Sequence, residues 1–189
     1  MQTYHSIRDI PMLSPLGFQK MQAPKALFDK ILNAYTLLKQ TERQETFDGM
    51  DKFIPNTENR HAANLMSMDQ CADKRDEILH DFAEIFTNWV HVPITPLFLY
   101  GIRSYKQGSS LSPHVDRLQT HHVSAIVCVD KSVNEDWALD ICDHSGTWHQ
   151  VYLNPGEIVL YESAICQHAR FKPLNGAFYN NLFVHYSLA

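Results

Sequence analysis

Blocks of lysine and arginine, long apolar runs, paired cysteines and glycine-rich phosphate loops are all missing from this 189-residue chain. Each absence excludes something. Sixteen Lys and Arg against 21 Asp and Glu leave a formal charge of −5, so there is no cationic run to neutralise nucleic-acid phosphates. No stretch approaches the roughly 18 apolar residues of a membrane helix, and Met1 to His5 start no secretory pattern. A cytoplasmic protein without nucleic-acid or membrane partners is expected. Cys71, Cys128, Cys142 and Cys166 form no C-x-x-C pair and sit largely among apolar residues, which favours reduced core thiols over a disulfide frame or zinc knuckle. There is no H-E-x-x-H, Gly-x-Ser-x-Gly, Walker loop or G-x-G-x-x-G, so metalloprotease, serine-hydrolase and nucleotide readings have no motif to rest on.

What is present is ordinary globular composition, 44% hydrophobic and 20% charged, without repeats. The length suits one domain, residues 1–189, able to bury about 70% of the surface its unfolded form exposes. Residues 1–22, with Pro11, Pro15 and Gly17, suggest an extended or short-strand lead-in. Pro24 opens a helix over 25–42, whose apolar positions 27, 28, 31, 35 and 38 share one stripe. Residues 46–68 are polar and irregular and suggest a long loop, either a plain connector or part of an active-site mouth. A second helix, capped by Asp69, is expected over 69–90, with Ile78, Leu79, Phe82, Ile85, Phe86 and Trp89 as its apolar stripe.

After Pro93 and Pro96 the texture changes to eight short β-like runs: 97–106, 111–116, 121–130, 137–143, 147–153, 157–162, 164–171 and 178–187. Turn residues such as Asn154-Pro155-Gly156 separate them. Helices followed by strands give a mainly β, α+β fold class: a jelly-roll barrel over 97–187, backed by helical support over 1–96.

Within that layout, His114 and Asp116 are two apart at the end of a strand, and residues i and i+2 project from one face. His168 falls on the seventh run. Two imidazoles and a carboxylate can hold one face of an iron(II) ion and leave the other open. A surface ion pair for His114 and Asp116, and a core histidine at 168, are the structural alternatives. His121-His122 offers one inward ring in either register, while His144, His149 and His185 are explained by exposure or core hydrogen bonds. Cys166, two before His168, would share its strand face and be open to oxidation there.

These residues resemble the Fe(II)/2-oxoglutarate-dependent dioxygenases, and among them the prolyl 4-hydroxylase-like group. The likeness covers roughly 97–187. It rests on Tyr105-Lys106-Gln107-Gly108 before His114-Val115-Asp116, on Asn154-Pro155-Gly156-Glu157, and on the distal His168. The resemblance implies a double-stranded β-helix, cupin-like, with His114, Asp116 and His168 holding Fe(II) as catalytic triad and Tyr105 touching 2-oxoglutarate. It implies that O2 is the other cosubstrate, that a C–H bond is hydroxylated, and that succinate and CO2 are released. Asp116 favours hydroxylation, since family halogenases carry a small residue there.

One family feature is missing: the Arg or Lys about ten residues after the distal histidine is Phe178 here. A dianion in a partly desolvated pocket needs a cation. Arg170, two beyond His168, ranks first for that role. Arg103, two before Tyr105, follows closely, because the family's nucleic-acid-repair branch places a 2-oxoglutarate-touching polar residue there. Lys172, just before Pro173, ranks third. Ion pairs of Arg170 or Arg103 with Glu162, Asp140 or Asp143 are the structural alternative.

The substrate is expected to be a small molecule or peptide, with peptidyl proline favoured by family analogy. Its specificity is assigned to the 46–68 loop, to Arg117–His121 and to Lys131–Trp137. A cupin-like metal enzyme without 2-oxoglutarate and a non-catalytic binding barrel are the other two readings.

Overall fold

The computed structural model describes residues 9–45 and 63–189 of the chain. Most of the expected 46–68 loop lies outside the described residues. Its last part, Asn64–Ser67, is not loop but strand β3, because it pairs with a neighbouring strand on each side.

The lead-in contributes β1 (Phe18–Gln22), an edge strand, as its short-strand reading anticipated. Helix α1 covers Lys25–Leu38 and buries Leu27, Ile31, Ala34 and Leu38. It stops four residues before the expected end. The Thr41 hydroxyl takes the Leu38 carbonyl at 2.8 Å, and the chain leaves through one tight turn into β2 (Arg43–Gln44). Helix α2 (Ala72–Val90) buries Ile78, Phe82, Phe86 and Val90. Ser67, not Asp69, begins the helical region: its hydroxyl accepts the Asp69 amide at the start of a 3-10 turn over Met68–Cys71. Trp89 packs at the margin of the core, as expected.

The β region holds β4 (Ile94–Phe98), β5 (Gly101–Lys106), β6 (Leu111–His114), β7 (Val123–Val133), β8 (Leu139–Cys142), β9 (Trp148–Val151), β10 (Glu157–Tyr161), β11 (His168–Arg170) and β12 (Gly176–Leu188). The first expected run is therefore two strands. Gly101 begins the second, at a point where a Cβ would lie 2.2 Å from the Met66 carbonyl oxygen, so only glycine lets the two backbones approach. The large sheet runs β1-β10-β7-β12-β5-β3-β2, with β4 also on β12; the small sheet runs β6-β11-β8-β9. The two ladders stay separate, so the double-stranded β-helix is open and not a closed barrel.

Strand alternation builds two layers from one sheet. On β7, Val123, Ala125, Val127 and Val129 face the helices, while Ile126 and Cys128 face the small sheet. On β10, Ile158 and Leu160 join the first layer, and Val159 and Tyr161 the second. Each fully buried large side chain, such as Phe82 or Phe86, contributes about 1.5–3 kcal/mol through burial. The helices thus support the sheet from behind, and the functional groups lie on its other side. No described helix is long and apolar enough to cross a membrane.

The turn from β8 to β9 is closed by Asp143. Its Oδ1 accepts the Ser145 amide at 2.8 Å, the Ser145 hydroxyl at 2.6 Å and the Thr147 amide at 3.0 Å, and its Oδ2 lies 2.7 Å from His149 Nε2. The Ser145 hydroxyl, then His149 and the Thr147 amide, hold this carboxyl below the usual carboxylate range. A lowered carboxyl stabilises the fold above its unfolded value of about 3.9, and that contribution is lost as pH falls through the folded value. Asp143→Asn is expected to lower the Tm at neutral pH, with the deficit shrinking below about pH 4. A deficit constant across that range in thermal melts contradicts this assignment.

Candidate metal centre and adjoining pocket

Strand β11 lies between β6 and β8, and its register sets His168 directly across from His114. The two rings are 4.3 Å apart between centroids. Asp116 sits two residues past the end of β6, so strand alternation is not what aims it. Its amide instead donates to the Ser163 carbonyl at 2.8 Å, which bends the chain back toward the histidines.

Hydrogen bonds select the tautomers. His114 Nδ1 donates to the Ser112 carbonyl at 2.8 Å, and His168 Nδ1 donates to the Cys166 carbonyl at 3.1 Å. A carbonyl can only accept, so each Nδ1 carries the proton and each Nε2 offers a lone pair. Those Nε2 atoms lie 4.0 Å and 3.8 Å from Asp116 Oδ1, and the three donor atoms are all within 4.8 Å of one another. Burial, with the neighbouring His168 adding to it, lowers His114 to about 4. Burial also lowers His168 to about 4. Both rings are therefore neutral near pH 7, and their approach to Asp116 is not an ion pair. Burial pushes the Asp116 carboxyl above its ordinary range. Two neutral nitrogens and one carboxylate oxygen around a small gap suit a divalent first-row metal with open positions.

The triad opens into a cavity of about 530 Å³ that also reaches Tyr105, Arg103, Arg170, Arg117 and His121. Arg170 is 2% exposed. Its guanidinium carbon stands 4.0 Å from the Trp137 ring centroid, 4.9 Å from that of Tyr179 and 5.8 Å from that of Tyr105. Nη1 donates to the Trp137 carbonyl at 2.9 Å, whereas Nη2 is buried with no hydrogen-bond partner among the described residues. A desolvated cationic donor without a partner calls for an anion. The alternative ion pairs with Glu162, Asp140 and Asp143 do not form: Glu162 is occupied by residues 13–14 and His144, and Asp140 accepts the Phe171 amide.

Arg103 also lines the cavity, but both sides of its fork are taken by Glu45 at 2.6 and 2.7 Å. Its charge is already matched. Lys172 is exposed and does not line the cavity, because the chain leaves the strand after Arg170; its carbonyl accepts the Trp137 indole instead. Phe178 packs under the Lys106 ammonium at 6.0 Å, away from the cavity.

A buried network adjoins the triad. His185 Nδ1 lies 2.7 Å from Ser124 Oγ, and Ser124 meets Ser163 at 2.6 Å and Asp116 Oδ2 at 3.5 Å. His121 packs against His185 at a tilt of 42°, with centroids 4.0 Å apart, and both line the cavity. His122 is buried as well, where its Nδ1 meets the Leu188 amide. An alternation count on β12 could have turned His185 inward, but nothing local pairs it with Ser124. Of the expected specificity segments, Leu65, Arg117 and His121 line the cavity, while the Trp137 ring packs against Arg170.

No family model and no curated protein sequence matches the chain. Solved structures do. A prolyl 4-hydroxylase from Pseudomonas putida superposes with TM-score 0.67 at 14% identity, over 97% of each chain. HygX from Streptomyces hygroscopicus, solved with nickel and 2-oxoglutarate bound, gives 0.65 at 13%, over 92% of this chain and 84% of that one. The non-haem α-ketoglutarate-dependent epimerase SnoN gives 0.68 at 12%, over 92% and 78%. The chain thus has the double-stranded β-helix fold of the 2-oxoglutarate/Fe(II) oxygenases. Within that class, the Pseudomonas prolyl 4-hydroxylase is similar across nearly the whole of both chains.

All four cysteines are free. Cys166 does not turn toward the triad: it is buried, its thiol reaches the Gly17 carbonyl at 3.6 Å, and burial together with Glu162 pushes it up to about 12. The expected oxidation-prone thiol is therefore absent, because Cys166 precedes β11 and lies in a turn. In the native protein at about pH 8, iodoacetamide is expected to leave Cys166 unlabelled until denaturant is added. Rapid native labelling of its peptide, read by mass spectrometry, contradicts this placement.

Proposed function

We propose that the chain is an Fe(II)- and 2-oxoglutarate-dependent oxygenase that hydroxylates an unactivated C–H bond of a small-molecule or peptide substrate. The observation carrying this reading is the convergence of His114 Nε2, His168 Nε2 and Asp116 Oδ1 in one cavity with the half-satisfied guanidinium of Arg170. The donor chemistry fits iron, and the unpartnered Nη2 fits a carboxylate.

In this reading His114, Asp116 and His168 hold the metal. Arg170 takes the far carboxylate of 2-oxoglutarate, replacing the cation that Phe178 does not supply, and Tyr105 lines the path between. Bound there, Fe(II) with 2-oxoglutarate and O2 supplies the oxidising power for hydroxylation, with succinate and CO2 as co-products. The chain's own contribution is positioning and dryness. Carbonyl bonds lock both imidazoles, the rings around Arg170 keep its charge desolvated, and Leu111, Ile126, Leu139 and Phe183 give the cavity apolar walls. Arg103, already matched by Glu45, shapes the pocket and leaves the anchor role to Arg170.

Anaerobic addition of Fe(II) and 2-oxoglutarate is expected to produce a visible metal-to-ligand charge-transfer band, followed by O2-dependent succinate formation. Asp116→Ala or His168→Ala is expected to abolish the band, and its absence in the wild type would falsify the reading. Arg170→Gln is expected to weaken 2-oxoglutarate binding by about 10- to 100-fold, the size of a lost charge-assisted hydrogen bond. Arg103→Gln should change it far less; the reverse order transfers the anchor to Arg103.

A further inference from the structure

The turn between β10 and β11, residues 162–167, touches two members of the triad through backbone carbonyls. Ser163 O receives the Asp116 amide at 2.8 Å, and Cys166 O receives His168 Nδ1 at 3.1 Å. A displacement of this one turn therefore moves a carboxylate and an imidazole relative to each other. The turn is closed internally by the Ile165 and Cys166 amides on the Glu162 carbonyl, at 3.0 and 2.8 Å. Nothing in that closure fixes where it sits.

Ser163 Oγ donates to the His121 carbonyl at 2.8 Å and the Gln167 carbonyl accepts the Cys142 amide at 2.8 Å, and a further set of contacts comes from the far end of the chain. Glu162, 1% exposed, accepts the Leu13 amide at Oε2 (3.0 Å), and at Oε1 the Ser14 amide (2.8 Å) and Ser14 hydroxyl (2.7 Å); His144 Nε2 lies 3.2 Å from Oε1. The Glu162 amide donates to the Gly17 carbonyl at 2.8 Å, and Ser14 Oγ also receives the Gly17 amide at 3.1 Å. Gly17 itself has φ +83°, and a Cβ there would lie 2.3 Å from the Cys166 sulfur. Residues 13–17 thus form a strap pressed against both ends of the turn, held by a carboxylate that has no contact with the cavity. A buried carboxylate is tolerated only when its lone pairs are met, so removing the charge or its donors loosens the whole clamp.

We propose that Glu162 and the strap of residues 13–17 are positioning elements for the metal centre, setting the separation of Asp116 and His168 through the turn they pin. This rests on the metal-binding reading above. Outer partners of metal ligands typically change affinity about 10- to 100-fold when altered, and an effect of that size is expected for Glu162→Gln.

The test uses the full chain, loaded with Co(II), and measures both affinity and the visible d–d spectrum at saturation. Glu162→Gln is expected to weaken Co(II) binding and to alter the spectrum; Ser14→Ala, which removes a single donor and leaves the core intact, should do both to a smaller degree. Phe86→Leu, in the helix layer behind the large sheet, should lower the Tm while leaving affinity and spectrum unchanged. If Glu162→Gln does not fold, Ser14→Ala decides the matter alone. Wild-type affinity and spectrum in the variants overturn the positioning role. A wild type that binds no Co(II) overturns the metal reading and the positioning role together.

Discussion

The pairing of β11 with β6 is the constraint on which the rest of this structure depends. It sets His168 opposite His114 across a ladder of hydrogen bonds, at a spacing governed by backbone geometry and not by side-chain flexibility. A slip of one residue would turn His168 to the other face of the small sheet. The large sheet, with its helices behind it, provides the rigid surface against which this small ladder is held.

Charge in the cavity follows a consistent physical pattern. Burial keeps both imidazoles neutral, raises the Asp116 carboxyl, and leaves the cations either matched or open. Arg103 is matched by Glu45, while Arg170 is desolvated among three aromatic rings with one nitrogen unsatisfied. A cation embedded in aromatic rings also loses little mobility on binding, since it is already held.

The element order was largely legible: two amphipathic helices and then short strands, with turns near their expected places. Boundaries shifted where a local hydrogen bond won over periodicity, as at Thr41 and Ser67, and where a backbone contact split a run, as at Gly101. The strand at 64–67 has no local signal, because its partners lie on strands remote in sequence. Among site residues, His114, Asp116, His168, Tyr105 and Arg170 are brought together; Arg103 lines the same cavity but is occupied, and Lys172 lies outside it. Ser124, Ser163 and Glu45 are illegible, since residues of those types are common and only long-range packing selects them.

Sequence alone determines that His114 and Asp116 are close and that a distant histidine follows a Pro-Gly turn. Tertiary structure decided the remainder. Asp116 is aimed by a carbonyl from residue 163, the histidine tautomers by carbonyls at 112 and 166, and the pairing of Arg103 by a carboxylate at position 45. The reason is physical: spacing along a chain fixes which atoms are available, but orientation and protonation depend on hydrogen-bond partners and burial, which exist only once distant segments have packed.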